Sequence, residues 1–206
     1  DAICEHRICG YDVGDPVDWR SNPNGYLEWM HKFNRHSWFS ELLRAYRATG
    51  DGRYIQALDA LWLSWIRANP EPIGHNGGGD PAWETLSTAV RIIPHWLTAW
   101  FALLHDENLS DATRIAVLKS LYGHAEHLCA HRGHANNWLV VESAVLFTLG
   151  LLFPEFRRAG RWLEEGRQRL TAEIMRQIYP DGADFELACG YHMMAARGFL
   201  QVFELA

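Results

Sequence analysis

The chain has 206 residues, a formal net charge of −6, 48% hydrophobic residues and 21% charged residues. That balance supports a packed core and excludes a disordered chain, and the acidic total gives no electrostatic footprint for nucleic acid. No apolar run approaches the ~18 residues of a transmembrane helix, so no membrane partner is expected. Cys4, Cys9, Cys129 and Cys189 lack metal-ligand spacing and leave the redox compartment open. The cations are 17 Arg against Lys32 and Lys119. Arg is the better bidentate partner for carboxylate and sulfate, although a GC-rich coding sequence is the simpler source of the bias.

Residues 1–25 are punctuated by Gly10, Gly14, Asp15-Pro16 and Asn22-Pro23 and read as a turn-rich segment. Leu27, Met30, Trp38, Leu42, Leu43 and Tyr46 then repeat at helical spacing, closed by Thr49-Gly50-Asp51. Tyr54, Leu58, Leu61, Trp62 and Trp65 form a second stripe, stopped by Asn69-Pro70. A Gly-rich loop follows, and Asp80-Pro81 reads as N-cap and first residue of a third helix, kinked at Pro94 and ending near Leu104. Ser110 caps a fourth helix that runs to about His131. The fifth spans Asn136 to Phe153 and the sixth about Ala159 to Ile178. Pro180-Asp181-Gly182 makes a turn, and a seventh helix begins near Gly190. No stretch reads as a convincing strand.

The odd-numbered helices begin near 26, 81, 135 and 190, a period of about 55 residues. The chain therefore reads as all-α, built of helical hairpins that each bury an apolar face on a neighbour. The hairpins present are too few to close a ring, which leaves a short solenoid or part of an incomplete (α/α) toroid, truncated before closure. Both ends look cut. An unclosed toroid is expected to expose apolar surface at its last helix, and the isolated chain is expected to be inactive and association-prone. Polar residues gather near the starts of the odd helices: His36, then Trp83, Glu84 and Arg91, then Asn136, Asn137, Trp138 and Glu142, then Tyr191 and His192. If these helices form an inner ring, those residues line one cleft, and helix N-termini favour anions.

The order Asn136-Asn137-Trp138, then Leu151-Leu152-Phe153-Pro154-Glu155-Phe156 and Trp162, then Tyr179-Pro180-Asp181-Gly182-Ala183-Asp184-Phe185-Glu186 and Tyr191-His192 resembles the heparinase II/III-like polysaccharide lyases. Asn34-Arg35-His36, the Thr49-Gly50-Asp51 stop, Trp65 to Pro70 and Trp83-Glu84-Thr85-Leu86 with Arg91 extend the likeness over nearly the whole chain. The resemblance implies a partial toroid over residues 26–206, with the C-terminal toroid helices and a β-sandwich absent. It also implies β-elimination of a uronic-acid glycan, heparin/heparan sulfate-like or alginate-like.

In that chemistry the C5 proton of a uronate is weakly acidic, and donors on its carboxylate stabilise the enolate-like transition state. The resemblance gives Asn137 that role, helped by Asn136, with Tyr191 as acid/base beside His192. A tyrosine base needs nearby cations, for which His192 and Arg91 are candidates. Trp138, Arg91, Trp83, Glu84, His36, Glu142 and Glu186 complete the expected substrate-binding set. No metal or cofactor is expected in this segment, while a structural metal fits the missing C-terminal domain. The partner implied is an anionic polysaccharide, and the family suggests a periplasmic or secreted protein.

Two positions depart from the family pattern. Trp138 stands where many relatives have His, and Ala188 where many have Ser. Both keep open a non-catalytic glycan-binding helical-repeat module. A glycoside hydrolase on an α/α toroid is a further alternative, with Asp184, Glu186 and Glu142 to supply two opposed carboxylates. Several candidates also have plainer readings. Asn136 or Asn137 can be an N-cap, Arg91 and Glu84 an internal salt bridge, and His36 and Trp83 core residues. His124, His127 and His131 fit an exposed helix face better than a metal site. The Arg157 to Arg169 run reads as a solvated face.

Overall fold

A computed structural model of the chain describes residues 1–75 and 77–205. The first residues form a 3₁₀ turn (Ala2–Glu5) and a two-residue hairpin, β1 (Arg7–Ile8) with β2 (Tyr11–Asp12), paired antiparallel as Arg7↔Asp12 and Ile8↔Tyr11. The hairpin is too short to leave an alternating pattern, which is why no strand was legible. Ile3, Ile8, Val13 and Trp19 are buried, and Trp19 Nε1 donates to Ser64 Oγ at 3.1 Å. The turn-rich segment therefore covers the core formed by the helices that follow.

Those helices are α1 (Leu27–Arg35), α2 (Phe39–Thr49), α3 (Arg53–Ala68), α4 (Thr85–Val90), α5 (Leu97–Leu103), α6 (Asp111–Ala130), α7 (Asn137–Leu152), α8 (Ala159–Gln177) and α9 (Cys189–Leu205). The expected first helix is broken in two. His36 takes φ 62°, ψ 30° after α1, and Trp38 Nε1 donates to Phe33 O at 3.1 Å across the break. The expected third helix begins four residues late. Asp80 Oδ1 accepts from Ala82 N at 2.9 Å in a preceding turn, whereas Glu84 caps α4, its carboxylate accepting from Leu86 N at 3.1 Å and Ser87 N at 2.8 Å. A carboxylate there also meets the positive end of the helix dipole. Between α4 and α5, residues Arg91–Trp96 form a wide helical turn with Ile93 in extended geometry before Pro94, the expected kink.

α1, α4, α7 and α9 touch in succession, and α3, α6 and α8 pack behind them. This is an arc of an (α/α) toroid, with inner and outer helices alternating along the chain. α7 is buried from Leu139 to Gly150 apart from Val141. A helix enclosed on all sides needs no polar stripe. It sits close against α8 because Gly166 has no side chain, and a Cβ there would lie 2.6 Å from Phe147 N and 2.7 Å from Ser143 O. Val140, Phe147, Leu170 and Ala195 seal α7, α8 and α9 together. The outer side of α9 is apolar and open, with Tyr191, Met193, Leu200 and Phe203 exposed. Among the described residues no helix is long and apolar enough to cross a membrane.

Candidate active site

The turn after α8 carries Glu186 to the start of α7. Pro180 and Gly182 occupy the second and fourth positions of a β-turn, closed by Gly182 N to Tyr179 O at 2.8 Å. Ile178 and Asp184 then pair as an antiparallel bridge. Asp184 Oδ1 accepts from Glu186 N at 2.9 Å and fixes the reversal. Glu186 Oε2 in turn accepts from Asn137 N at 3.1 Å and from Asn137 Nδ2 at 2.6 Å. A carboxylate can only accept, so this pair fixes which way the Asn137 amide points. Its second amide hydrogen is left over, and its Oδ1 is buried with no hydrogen-bond partner.

Asn136 is the N-cap of α7, its Oδ1 accepting from Trp138 N at 3.0 Å. Trp138 is half-buried, with its ring edge-to-face on His134 at 4.8 Å. Asp184 N donates to His192 Nδ1 at 3.3 Å, so a neutral His192 carries its proton on Nε2. Tyr191 is 53% exposed at the start of α9. Asn137, Glu186 and His192 are thus joined through one segment, with Tyr191 next in the chain. The first turns of α7 and α9 share one end of the arc.

Arg176 and Gln177, which sequence reasoning missed, hold this cluster from α8. Arg176 donates to Ala135 O and to Glu173, and its guanidinium lies 5.5 Å from the Phe185 ring centroid. Gln177 Nε2 donates to Asn136 O at 2.9 Å. No spacing signals such contacts, because the partners lie on different hairpins.

Three expected cleft residues lie instead in the core. Arg91 is fully buried, donating to Asn34 O at 2.7 Å, Ala82 O at 2.5 Å and His124 Nε2 at 3.1 Å. It stacks 4.0 Å from the Trp65 ring centroid. These contacts commit its charge, so it can neither meet a substrate nor assist Tyr191. It makes no ion pair with Glu84, whose carboxylate caps α4 and lies 3.9 Å from His31 Nδ1. His36 is buried among aromatic rings and accepts from Trp96 Nε1 at 2.9 Å. Trp83 is buried, donates to Asn69 O at 3.2 Å and packs on His124.

His124 and His127 are likewise interior and not on an exposed face. Burial pulls His36 and His124 well below the usual imidazole range, and the Arg91 charge adds to this. Burial, then His131, takes His127 down to about 4. Among the described residues no group of three His, Cys, Asp or Glu could hold a metal ion. Arg169 also departs from the expected solvated face, donating to Leu128 O and Cys129 O at 2.9 Å. Glu142 is fully buried, and its Oε2 accepts from Gly133 N at 2.9 Å.

The fold and this cluster define a class: a toroid arc whose inner-helix starts bring together an amide, a carboxylate and a Tyr-His pair. The family model for the heparinase II/III N-terminus matches residues 4–206, and the chain belongs to that family. It is 29% identical over 212 residues to a heparin-sulfate lyase of Bacteroides stercoris, covering 95% of this chain and 32% of that protein. The figures for the heparin-sulfate lyase of Pedobacter heparinus are 29% over 201 residues, 96% and 30%. A solved heparinase III superposes with a TM-score of 0.85 at 26% identity, over 100% of this chain and 34% of that one. The heparan sulfate lyase HepC from Pedobacter heparinus gives 0.81 at 26%, over 95% and 30%. The chain therefore spans about a third of the length of the curated relatives it matches.

Proposed function

We propose that the chain is the toroid portion of a polysaccharide lyase that cleaves a heparan sulfate-type glycan by β-elimination at the starts of α7 and α9. The hydrogen bonds from Asn137 to Glu186 carry this reading, because they orient an amide donor beside Tyr191-His192. The relatives' names support the substrate class.

In this scheme Asn137 is the floor of the site and Tyr191 its wall. Glu186 holds one amide hydrogen of Asn137, and the other goes to the uronate carboxylate. That bond strengthens as charge builds in the enolate-like transition state, which is where stabilisation raises the rate. Tyr191 takes the C5 proton. The C5 electron pair forms the C4=C5 bond, the C4–O4 bond breaks, and Tyr191 passes the proton it has taken to O4, which leaves as a hydroxyl. His192 Nε2–H supplies a donor next to Tyr191. Trp138 presents a ring for a sugar face. His36, Arg91 and Trp83 act through the core and not through the substrate.

The test is the ultraviolet band of an unsaturated uronate, followed with the full-length gene product on heparan sulfate, alginate, chondroitin and hyaluronan. The expected result is a rise on heparan sulfate. A flat trace there, or new reducing ends without the band, overturns elimination of that glycan.

A further inference from the structure

Residues 178–192 run from the end of α8 into the first turn of α9, and Asp184 is their junction. Its bridge to Ile178 is flanked by Tyr179 N to Ala183 O at 2.9 Å and Phe185 N to Gln177 O at 2.8 Å. Its carbonyl accepts from Leu187 N at 3.1 Å and closes the reversal. Two further groups of the same residue face the two halves of the site. Oδ1 accepts from Glu186 N at 2.9 Å, and Glu186 Oε2 accepts from Asn137, the first residue of α7. The Asp184 N–H donates to His192 Nδ1 at 3.3 Å, which ties down the turn of α9 that carries Tyr191. One buried residue thus joins the starts of α7 and α9.

We propose that Asp184 is a positioning residue, which sets the Asn137 amide in place relative to the Tyr191 hydroxyl. Asn137 and Tyr191 lie on different hairpins, each at a helix start, where backbone N–H groups have no partner within the helix. Asn137 N finds its acceptor in Glu186. Glu186 N is in turn held by the Asp184 carboxylate two residues earlier, the contact by which an Asp side chain fixes a turn. Without that contact the carboxylate that orients Asn137 loses its placement, and the turn no longer presents the Asp184 N–H to His192. The amide and the tyrosine act on one sugar, so a misplacement of about 1 Å at either start costs up to roughly 100-fold in rate.

The effect on rate rests on the lyase reading, so the test has two readouts, both in the full-length protein. The first is residue-resolved hydrogen exchange at positions 137, 184 and 186, which needs no turnover. Asp184→Asn keeps an acceptor for Glu186 N, and Oδ2 has no partner to lose among the described residues. It should keep all three amides protected. Asp184→Ala removes the acceptor and Asp184→Glu displaces it. Both should lose protection at 186, 137 and 184 while the middle of α7 stays protected, and either variant decides if the other does not fold. Protection of Asn137 that survives in them, or is lost in Asp184→Asn, overturns the proposal whether or not the protein is a lyase. Loss throughout α7 also overturns it, as the mark of a general structural role. The second readout is kcat and KM on heparan sulfate. The expected result for Asp184→Ala is a fall in kcat of roughly 10- to 100-fold with KM nearly unchanged, and near wild-type rates in Asp184→Asn. Added to Tyr191→Phe, Asp184→Ala should cost little more, because the group it places is gone. The same factor on both backgrounds overturns the link to rate alone.

Discussion

Two regions of this molecule are built from the same kinds of residue and use them in opposite ways. Around α1 to α6, Arg91, His36, His124, His127 and Trp83 are enclosed, and most of their polar atoms are spent on internal partners, His36 Nε2 and His127 Nδ1 excepted. At the starts of α7 and α9, Asn137 is also buried but keeps an amide hydrogen over, and Tyr191 is exposed. Chemical type therefore does not separate a core polar residue from a site residue. What separates them is whether the fold has already used the group's hydrogen-bonding capacity.

The largest way to break the comparison is Arg91→Met. It leaves Asn34 O, Ala82 O and His124 Nε2 without their donor inside the core, and removing one partner from a buried charged network costs about 3–5 kcal/mol. The expected outcome is a large drop in thermal midpoint for the full-length protein, and an unchanged midpoint would mean that Arg91 is not the hub described here.

Acid should separate the two regions next. An imidazole held below its unfolded value stabilises the fold fully above that value and loses this as pH falls towards the folded one. For His127 that window runs from pH 6.5 to about 4 and is worth about 2–3 kcal/mol. Glu142 has the opposite sign. Its raised value means stability is lost as pH rises from about 4.5 to about 7, by a similar amount. Hydrogen exchange from pH 7 down to pH 5 should therefore show protection falling around His127 in α6 and rising around Glu142 in α7. Parallel changes in both would contradict the assignment. The smallest effect on stability is expected from Tyr191→Phe, within about 0.5 kcal/mol, because the side chain is exposed and its hydroxyl makes no hydrogen bond among the described residues.

The fold was legible because α6, α7 and α8 carry their own stops. Ser110 caps α6 and Asn136 caps α7 as read, and the spacing of the odd helices reflects the repeat of the toroid. The break at His36 was hidden because a left-handed residue that is not glycine leaves no compositional mark. Glu84 was read as a substrate ligand although it caps α4, since Asp80-Pro81 offered a stronger local signal. For the proposed site, the family resemblance pointed to Asn137, Tyr191 and His192, but not to the Glu186 bond that orients Asn137. It could not tell that Arg91 and Trp83, which flank α4, are covered by α3 and α6. That information lies in contacts between hairpins, and neither period nor motif encodes it.

The central claim is that chemistry belongs to the starts of α7 and α9 and that the Arg91 hub only supports them. The most direct test is the initial rate of unsaturated-uronate formation on heparan sulfate by the full-length gene product and its Tyr191→Phe variant, with both thermal midpoints measured. The account predicts a rate loss of roughly 100-fold or more at an unchanged midpoint, the scale of a lost general acid–base group. A variant that keeps its rate, or loses it only together with its fold, would contradict it.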